Sequence, residues 1–380
     1  MTVAQQALGR SEHLTFKGNG HESRYGWLRL TPAYSLHLVA QIIEDHATDE
    51  PIVLDPFCGT GTTALLCAER GIACDTTDIN PFLIWLARAK TRRYSSQHLD
   101  VFADVSTEVT EAILNSRQAS TWLPSLHQIE KWWGEKELSA LGRAMSRIER
   151  LSAYQPEKAV DLLKIAFCRV MIAHARVSFG HQSMSFKKNG EENPLFSFLS
   201  SGEQAIADDW QRSCAVISRT AASPILAQPN VLLYDARSLS SKLEANRYTC
   251  VITSPPYPNR MSYIRELRPY MYWLRFLQDG REAGELDWKA IGGTWGCATS
   301  NLTTWEPGFG AEVPYKDFPR ILEGINKHSP VLSRYVHKYF CDVAQHCREL
   351  FAVVRPTGTV HYIVGNSKFF DTLLPVESIY

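Results

Sequence analysis

Two adjoining stretches, "PIVLDPFCGTGTTALLCAERG" (51–71) and "IACDTTDINPFLIWLARAK" (72–90), constrain the fold of this chain more than any other feature. Each joins a short apolar run to a polar corner and then to a run with helical spacing. In the first, Ile52–Leu54 reads as a strand and Thr62–Arg70 as a helix closed by Gly71. In the second, a strand ends on Asp78 and a helix opens at Pro81, whose fixed φ suits the first helical turn. Strand, helix, strand, helix at this spacing is the mark of a parallel α/β sheet.

That rhythm is interrupted and then resumes. A helical pattern around Ser35–Glu44 precedes it, and residues 1–23 read as a loose polar arm. From about residue 105 to 225 the chain reads as helical, with Leu138, Leu141, Met145, Ile148 and Leu151 at three- and four-residue steps. Ala159–Arg176 and Ile206–Ile217 follow the same pattern. Strands return in "NVLLYDARSL" and "YTCVITSPPY", and a helix is predicted over Tyr263–Leu277. After a loop-rich stretch and a helix ending near Phe351, a strand over Thr359–Gly365 comes last. The expected division is a core in three pieces (24–104, 229–280 and 336–380), a helical insertion (105–228) and a loop-rich insertion (281–335).

Composition narrows the class. At 44% hydrophobic and 21% charged, the 380 residues read as globular, without the apolar length needed to span a bilayer or the block of a secretion signal. Nine cysteines occur singly and never as CxxC, so neither a zinc ribbon nor a disulfide framework is suggested, and a reducing cytoplasm is the expected home. Forty basic residues balance forty acidic ones, so a polyanionic partner would have to be held by a local basic groove.

The corners carry the chemistry. In Asp55-Pro-Phe-Cys-Gly59-Thr-Gly61-Thr62, glycines between a strand tip and a helix start let the backbone approach a ligand closely. No lysine follows as in a Walker loop and the full GxGxxG is missing. An acid opening the turn suits a ligand bearing an ammonium group. By itself the turn is equally well explained as a tight bend. Asp78, roughly twenty residues on, stands where a carboxylate accepts both hydroxyls of a ribose, and Asp235 ends the next strand. Each acid taken singly reads equally as a helix cap.

The corner "TSPPY" (253–257) deletes two backbone donors in succession. A proline supplies a carbonyl acceptor without a competing donor, and Ser254 Oγ adds a second acceptor beside it. Two adjacent acceptors match the two hydrogens of an exocyclic amino group, and Tyr257 offers a flat face for the base that bears it. Holding both hydrogens favours a pyramidal nitrogen whose lone pair points at an electrophile. The structural alternative is a rigid turn.

Taken together, "DPFCGTGTT", "TDINP", "YDARSL" and "TSPPY" resemble the amino-methylating DNA methyltransferases that use S-adenosylmethionine. The resemblance covers about residues 24–100, 229–280 and 345–380, and "RLTPAYSLHLVAQII" (29–43) is similar to the segment ahead of the glycine turn in that family. It implies an α/β, Rossmann-like methyltransferase fold with a mainly parallel twisted sheet and two insertions. It also implies cofactor contacts by Thr31, Asp55, Phe57, Gly59, Gly61, Thr62, Asp78, Ile79, Asp235 and Ala236. Among these, Asp55, Gly59 and Gly61 would line the methionine part, Asp78 would hold the ribose and Asp235 the adenine amine. Ser254, Pro255, Pro256 and Tyr257 would form the catalytic corner, with no metal and no covalent cysteine. The serine form of the tetrapeptide is typical of the cytosine-N4 enzymes, whereas adenine-N6 enzymes mostly carry Asp or Asn.

Recognition of double-stranded DNA would fall to the insertions, with Arg176, His181, Lys187 and Lys188 as contact residues, and Arg260, which follows the proline corner, would lie nearest the target strand; the alternative for the basic loop is a solvated connection. "GGTWGCATS" reads as a flexible loop beside the site, and His174 as a packing or polar contact. A cognate restriction endonuclease is the implied partner. Adenine-N6 methylation, RNA guanine-N2 methylation and an inactive DNA-binding module are the competing readings. The sequence stops at "LLPVESIY", soon after its last expected strand, which predicts an incomplete sheet edge that a missing segment or a partner chain would complete.

Overall fold

The computed structural model describes residues 18–19, 22–28, 30, 33–46, 50–115, 117, 122–178, 185–186, 202–259, 262–308 and 312–380. After α1 (Leu36–His46), the first strand–helix units are β1 (Ile52–Asp55), α2 (Thr62–Arg70), β2 (Ala73–Asp78) and α3 (Pro81–Thr91). Their ends follow local chemistry. Gly61 enters α2 at φ 78° and Gly71 leaves it at φ 76°, both in the left-handed region that favours glycine. Asn80 caps α3 by accepting from the Phe82 amide, with Pro81 in the first turn.

A helical block follows: α4 (Ser96–Leu114), α5 (Ile129–Trp132), α6 (Glu135–Ser152) and α7 (Glu157–Ala173). A short pair, β3 (Val177–Ser178) and β4 (Ser185–Phe186), then precedes α8 (Gly202–Ala221). The periodic residues Leu138, Leu141, Met145, Ile148 and Leu151 of α6 are all buried, and the core they enter runs on into α3 and into a later helix through Phe82, Tyr270 and Trp273.

The sheet resumes with β5 (Asn230–Leu233) and, after a 3-10 turn at Ala236–Ser241, β6 (Tyr248–Thr253). The chain continues through α9 (Tyr263–Trp273), α10 (Gly280–Lys289), α11 (Cys297–Thr304), α12 (Phe318–Asn326) and α13 (Pro330–Val353). It closes with β7 (Val354–Tyr362), the hairpin β8 (Ser367–Phe369) and β9 (Thr372–Leu374), and α14 (Val376–Ile379).

Five strands form one parallel sheet in the order β5-β2-β1-β6-β7. The chain builds outward from β1 to one edge, then returns to lay β6 and β7 on the other side. In such sheets the crevice opens at the carboxyl ends of the strands on either side of that reversal, here β1 and β6. Every residue of β6 is buried, as expected for a strand covered on both faces. Val39, Ile43, Ala64 and Cys67 of α1 and α2 cover one face, while Leu239, Leu243, Leu350 and Val353 cover the other. This is a Rossmann-like methyltransferase fold.

Four sequence expectations change. Helix α9 ends at Trp273 instead of Leu277 because Arg275 turns left-handed (φ 61°) and the Phe276 amide bonds back to the Met271 carbonyl at 2.8 Å. The glycine-containing stretch after α10 is anchored by the Trp295 amide on Asp287 Oδ2 at 2.7 Å and becomes helical at Cys297. The strand β7 begins at Val354, five residues before the expected start at Thr359. It is not the last strand either: the β8–β9 hairpin and α14 follow, and Phe369, Leu374 and Val376 pack with Phe318 and Phe340. Among the described residues the main sheet has five strands, and β7 pairs only with β6. No helix among them is long and apolar enough to cross a membrane.

Candidate active site

One cleft lies over the carboxyl ends of the strands, with a free space of about 950 Å3 out to its open mouth. Of the residues expected to bind a cofactor, Phe57, Gly59, Asp78, Ile79, Asp235 and Ala236 line it, and Ser254, Pro255, Pro256 and Tyr257 stand across from them. The strand order alone brings these corners together.

Asp78 closes β2. Its Oδ2 accepts from the Gly59 amide at 3.1 Å and its Oδ1 from the Asn80 amide at 2.9 Å. Burial raises its carboxyl to about 6 against these backbone bonds. Each oxygen keeps a further lone pair, and Ile79, Leu83, Ala236 and Ile264 give the adjoining wall an apolar character. An acceptor pair beside an apolar slot fits a ribose carrying a flat heterocycle, so the residues present suit S-adenosylmethionine.

Asp55, Gly61 and Thr62 are not among the lining residues. Asp55 is fully buried beneath Tyr34, which does line the cleft. Its Oδ1 accepts from Thr253 Oγ1 at 2.7 Å and from the Phe57 amide at 3.2 Å, and its Oδ2 accepts from the Tyr34 hydroxyl at 3.0 Å. Burial outweighs these bonds and pushes the carboxyl up to about 7. Asp55 therefore cross-links β1 to β6 beneath the cleft. Gly61 sits where an added Cβ would come within 2.9 Å of Ala87 Cβ, so it permits the close approach of α2 and α3. Beneath the turn, the buried Lys90 Nζ donates to the Thr60 carbonyl at 3.0 Å, and burial lowers its ammonium to about 8.

Asp235 is bound to a neighbour. It accepts from the Arg237 amide at 2.8 Å, and the Arg237 guanidinium meets both its oxygens, Nε to Oδ1 at 3.0 Å and Nη2 to Oδ2 at 2.7 Å. Burial works against its charge, but the bonds and charge of Arg237 prevail and hold it below the ordinary carboxylate range. Arg237 also donates to Asp342 Oδ1 at 2.9 Å and to the Lys289 carbonyl at 2.6 Å. Lys289, Ala290 and Ile291 thereby become a wall of the cleft supplied by the loop-rich insertion.

At the proline corner, Ser254 Oγ and the Tyr257 hydroxyl each lie 3.2 Å from the Ile363 carbonyl and 3.2 Å from one another. A carbonyl only accepts, so the serine proton has a place to go and the serine lone pairs are left for an incoming donor.

Of the remaining candidates, Arg176 belongs to the described residues. Arg176 is exposed at the end of the helical block, its amide on the Trp132 carbonyl at 2.7 Å, and it does not line the cleft. Thr31, His181, Lys187, Lys188 and Arg260 lie outside the described residues. His174 contacts Asp209 Oδ2 at 2.9 Å, the polar role expected of it. Sequence reading passed over Tyr34, Asn80, Tyr234, Tyr263 and the Lys289–Ile291 wall. Tyr34 and Asn80 flank motifs and were open to discovery; Lys289 belongs to no pattern that would single it out.

The fold is of the Rossmann-like methyltransferase class, and the cleft sits where that fold places its ligand. A family model described as DNA methylase, of the N6/N4 type, matches residues 19–88, which hold the glycine turn and Asp78. The type II methyltransferase M.AvaI of Nostoc sp. is 22% identical over 267 residues, covering 66% of this chain and 54% of that protein. The type II methyltransferase M.BsoBI of Geobacillus stearothermophilus is 21% identical over 412 residues, covering 96% of this chain and 78% of that one. M.MjaII of Methanocaldococcus jannaschii is 39% identical over 62 residues, or 16% of this chain. This chain thus spans about half the length of M.AvaI (54%). No solved structure matches. Over residues 19–88 the chain is similar to DNA methylases of the N6/N4 type, and over longer spans, at lower identity, to these type II methyltransferases.

Proposed function

We propose that this protein transfers a methyl group from S-adenosylmethionine to the exocyclic N4 amine of a cytosine drawn out of duplex DNA, as the modification partner of a cognate restriction endonuclease. The observation that carries the reading is the placement of Ser254 and Pro255 in the same cleft as Gly59, Asp78 and Ala236, on opposite sides of the strand reversal. The description of the matching family model, DNA methylase, supports DNA as the substrate. The serine in the tetrapeptide favours cytosine over adenine.

In this reading residues 24–104, 229–280 and 336–380 form the catalytic core, the helical insertion 105–228 recognises DNA with Arg176, His181, Lys187 and Lys188, and Arg260, just past the proline corner in the core, contacts the target strand. The bound cofactor supplies an electrophilic methyl group on a sulfonium. Asp78 and Gly59 fix its sugar end and Ile79 and Ala236 flank its base. Ser254 Oγ and the Pro255 carbonyl accept the two amine hydrogens of the target, and Tyr257 stacks on its ring. The protein's contribution is alignment and exclusion of water around an in-line displacement.

Incubation with methyl-labelled S-adenosylmethionine and unmethylated plasmid DNA, followed by nucleoside analysis, tests this. N4-methylcytosine is expected. N6-methyladenine would move the reading to the adenine branch, and label on RNA alone, or on neither, would overturn it.

A further inference from the structure

Two buried hydrogen-bond chains end on carbonyls of cleft-lining residues, and their directions are forced. Tyr339, 1% exposed on α13, lies 2.7 Å from the Pro256 carbonyl and 2.9 Å from the Tyr380 hydroxyl. A carbonyl has no proton to give, so Tyr339 donates to Pro256 and Tyr380 donates to Tyr339. On the same helix His346, fully buried, meets the Ala236 carbonyl through Nδ1 at 3.0 Å and the Tyr362 hydroxyl through Nε2 at 2.8 Å. Nδ1 must therefore carry the proton. Burial keeps the ring neutral, its pKa lowered to about 4, so Nε2 accepts from Tyr362. The chains meet where the Tyr362 and Tyr380 rings touch, with centroids 4.9 Å apart. The His346 ring also packs edge-on against Phe57, another cleft residue, at 4.8 Å.

We propose that Tyr339 and His346 are positioning residues that hold the amine corner and the cofactor wall at a fixed separation from one rigid helix. The proposal deepens the function argued above and rests on it. The proline ring of Pro256 already fixes its φ; the bond from Tyr339 fixes the orientation of the next peptide plane, and so sets Tyr257 relative to the Pro255 acceptor. His346 does the equivalent for Ala236. Neither side chain is among those lining the cleft, so each acts through the residue it holds.

Tyr339→Phe keeps the ring and removes one donor. Single-turnover methylation of plasmid DNA should slow about tenfold, with calorimetric affinity for S-adenosylhomocysteine near the parental value. His346→Phe should instead weaken that affinity by about tenfold, and His346→Asn, which keeps a donor close to the place of Nδ1, should restore most of it. Melting temperatures of all variants establish that the assays are run on folded protein. A Tyr339→Phe protein at the parental rate, or a His346→Phe protein at the parental affinity, would overturn the proposal while leaving the function intact. A parent that methylates no DNA would instead remove the function on which the proposal rests. Should His346→Phe fail to fold, the Tyr339→Phe rate and the affinity of His346→Asn still decide it, since loss of affinity in His346→Asn would contradict the rescue.

Discussion

At the end of β1 the chain turns mainly on bonds to the next strand, with one long link from Asp55 to Thr253, whereas at the end of β6 it turns on bonds to segments far along the sequence. In the glycine corner, the Cys58 amide reaches the Thr77 carbonyl at 2.8 Å, the Thr76 and Thr77 hydroxyls reach the carbonyls of Asp55 and Pro56, and the Gly59 amide reaches Asp78. These partners belong to the very next strand. In the proline corner, Ser254 is tied to Ile363, 109 residues on, and Pro256 to Tyr339, 83 residues on. The difference follows from the prolines. Two missing amides leave the second corner little to donate, so it is held from outside through the Pro256 carbonyl and the Ser254 and Tyr257 hydroxyls. One corner is preorganised by its own motif; the other depends on the rest of the domain being in place.

Experiments can break that contrast. The largest effect is expected from Asp78→Ala, which leaves the Gly59 and Asn80 amides without their acceptor and removes the ribose contact. Cofactor affinity should fall by on the order of 1–3 kcal/mol, roughly fivefold to 150-fold, in calorimetry on folded protein. Unchanged affinity would show that the glycine corner holds no cofactor. Next comes Gly61→Ala. The left-handed φ of 78° and the 2.9 Å approach to Ala87 predict a stability loss of about 1–3 kcal/mol in denaturant titration, from strain in the turn. A loss near zero would mean that α2 and α3 separate freely.

Ser254→Ala probes the second corner by itself. The methyl-transfer rate should drop about tenfold while cofactor affinity stays close to parental, because the amine contact tightens only as the nitrogen becomes pyramidal. A parental rate would reduce the serine to a turn residue and leave the Pro255 carbonyl and Tyr257 as the amine site.

The smallest effects concern pH. Asp78, raised to about 6, accepts from a ribose with all its lone pairs only when ionised. Cofactor affinity should therefore weaken as pH falls through 6, and Asp78→Asn should lose that dependence. For Asp55 the folded carboxyl binds its proton more tightly than the unfolded one, since burial raises it to about 7. Its contribution to stability is then fully present at acid pH and is lost as pH rises through 7. Asp55→Asn should flatten the stability profile over that range in chemical denaturation. A profile unchanged by Asp55→Asn would place its cross-link to Thr253 outside the stability of the fold.

Much of this was legible in the chain. Apolar runs ending on Asp55 and Thr253 gave strands, because a parallel strand covered on both faces is mostly apolar, whereas β2 buries Thr76 and Thr77 by bonding their hydroxyls to the Asp55 and Pro56 carbonyls. Gly61, Gly71 and Pro81 marked the helix ends because only particular backbone angles fit there. The strand reversal that puts β1 beside β6 brought the motif corners into one cleft. Other features were not legible. Asp55 reads as a ligand contact, yet it lies under Tyr34, since its burial depends on how α1 settles over the sheet. Asp235 reads as a free acceptor, yet Arg237 claims both its oxygens and passes the constraint to Lys289. Local sequence determines strands, caps and turns because those are set by backbone angles and side-chain period over a few residues. Which carboxylate faces the ligand, and which tyrosine steadies a proline carbonyl, was decided by tertiary packing, because a hydrogen bond between Pro256 and Tyr339 has no local precursor in the chain.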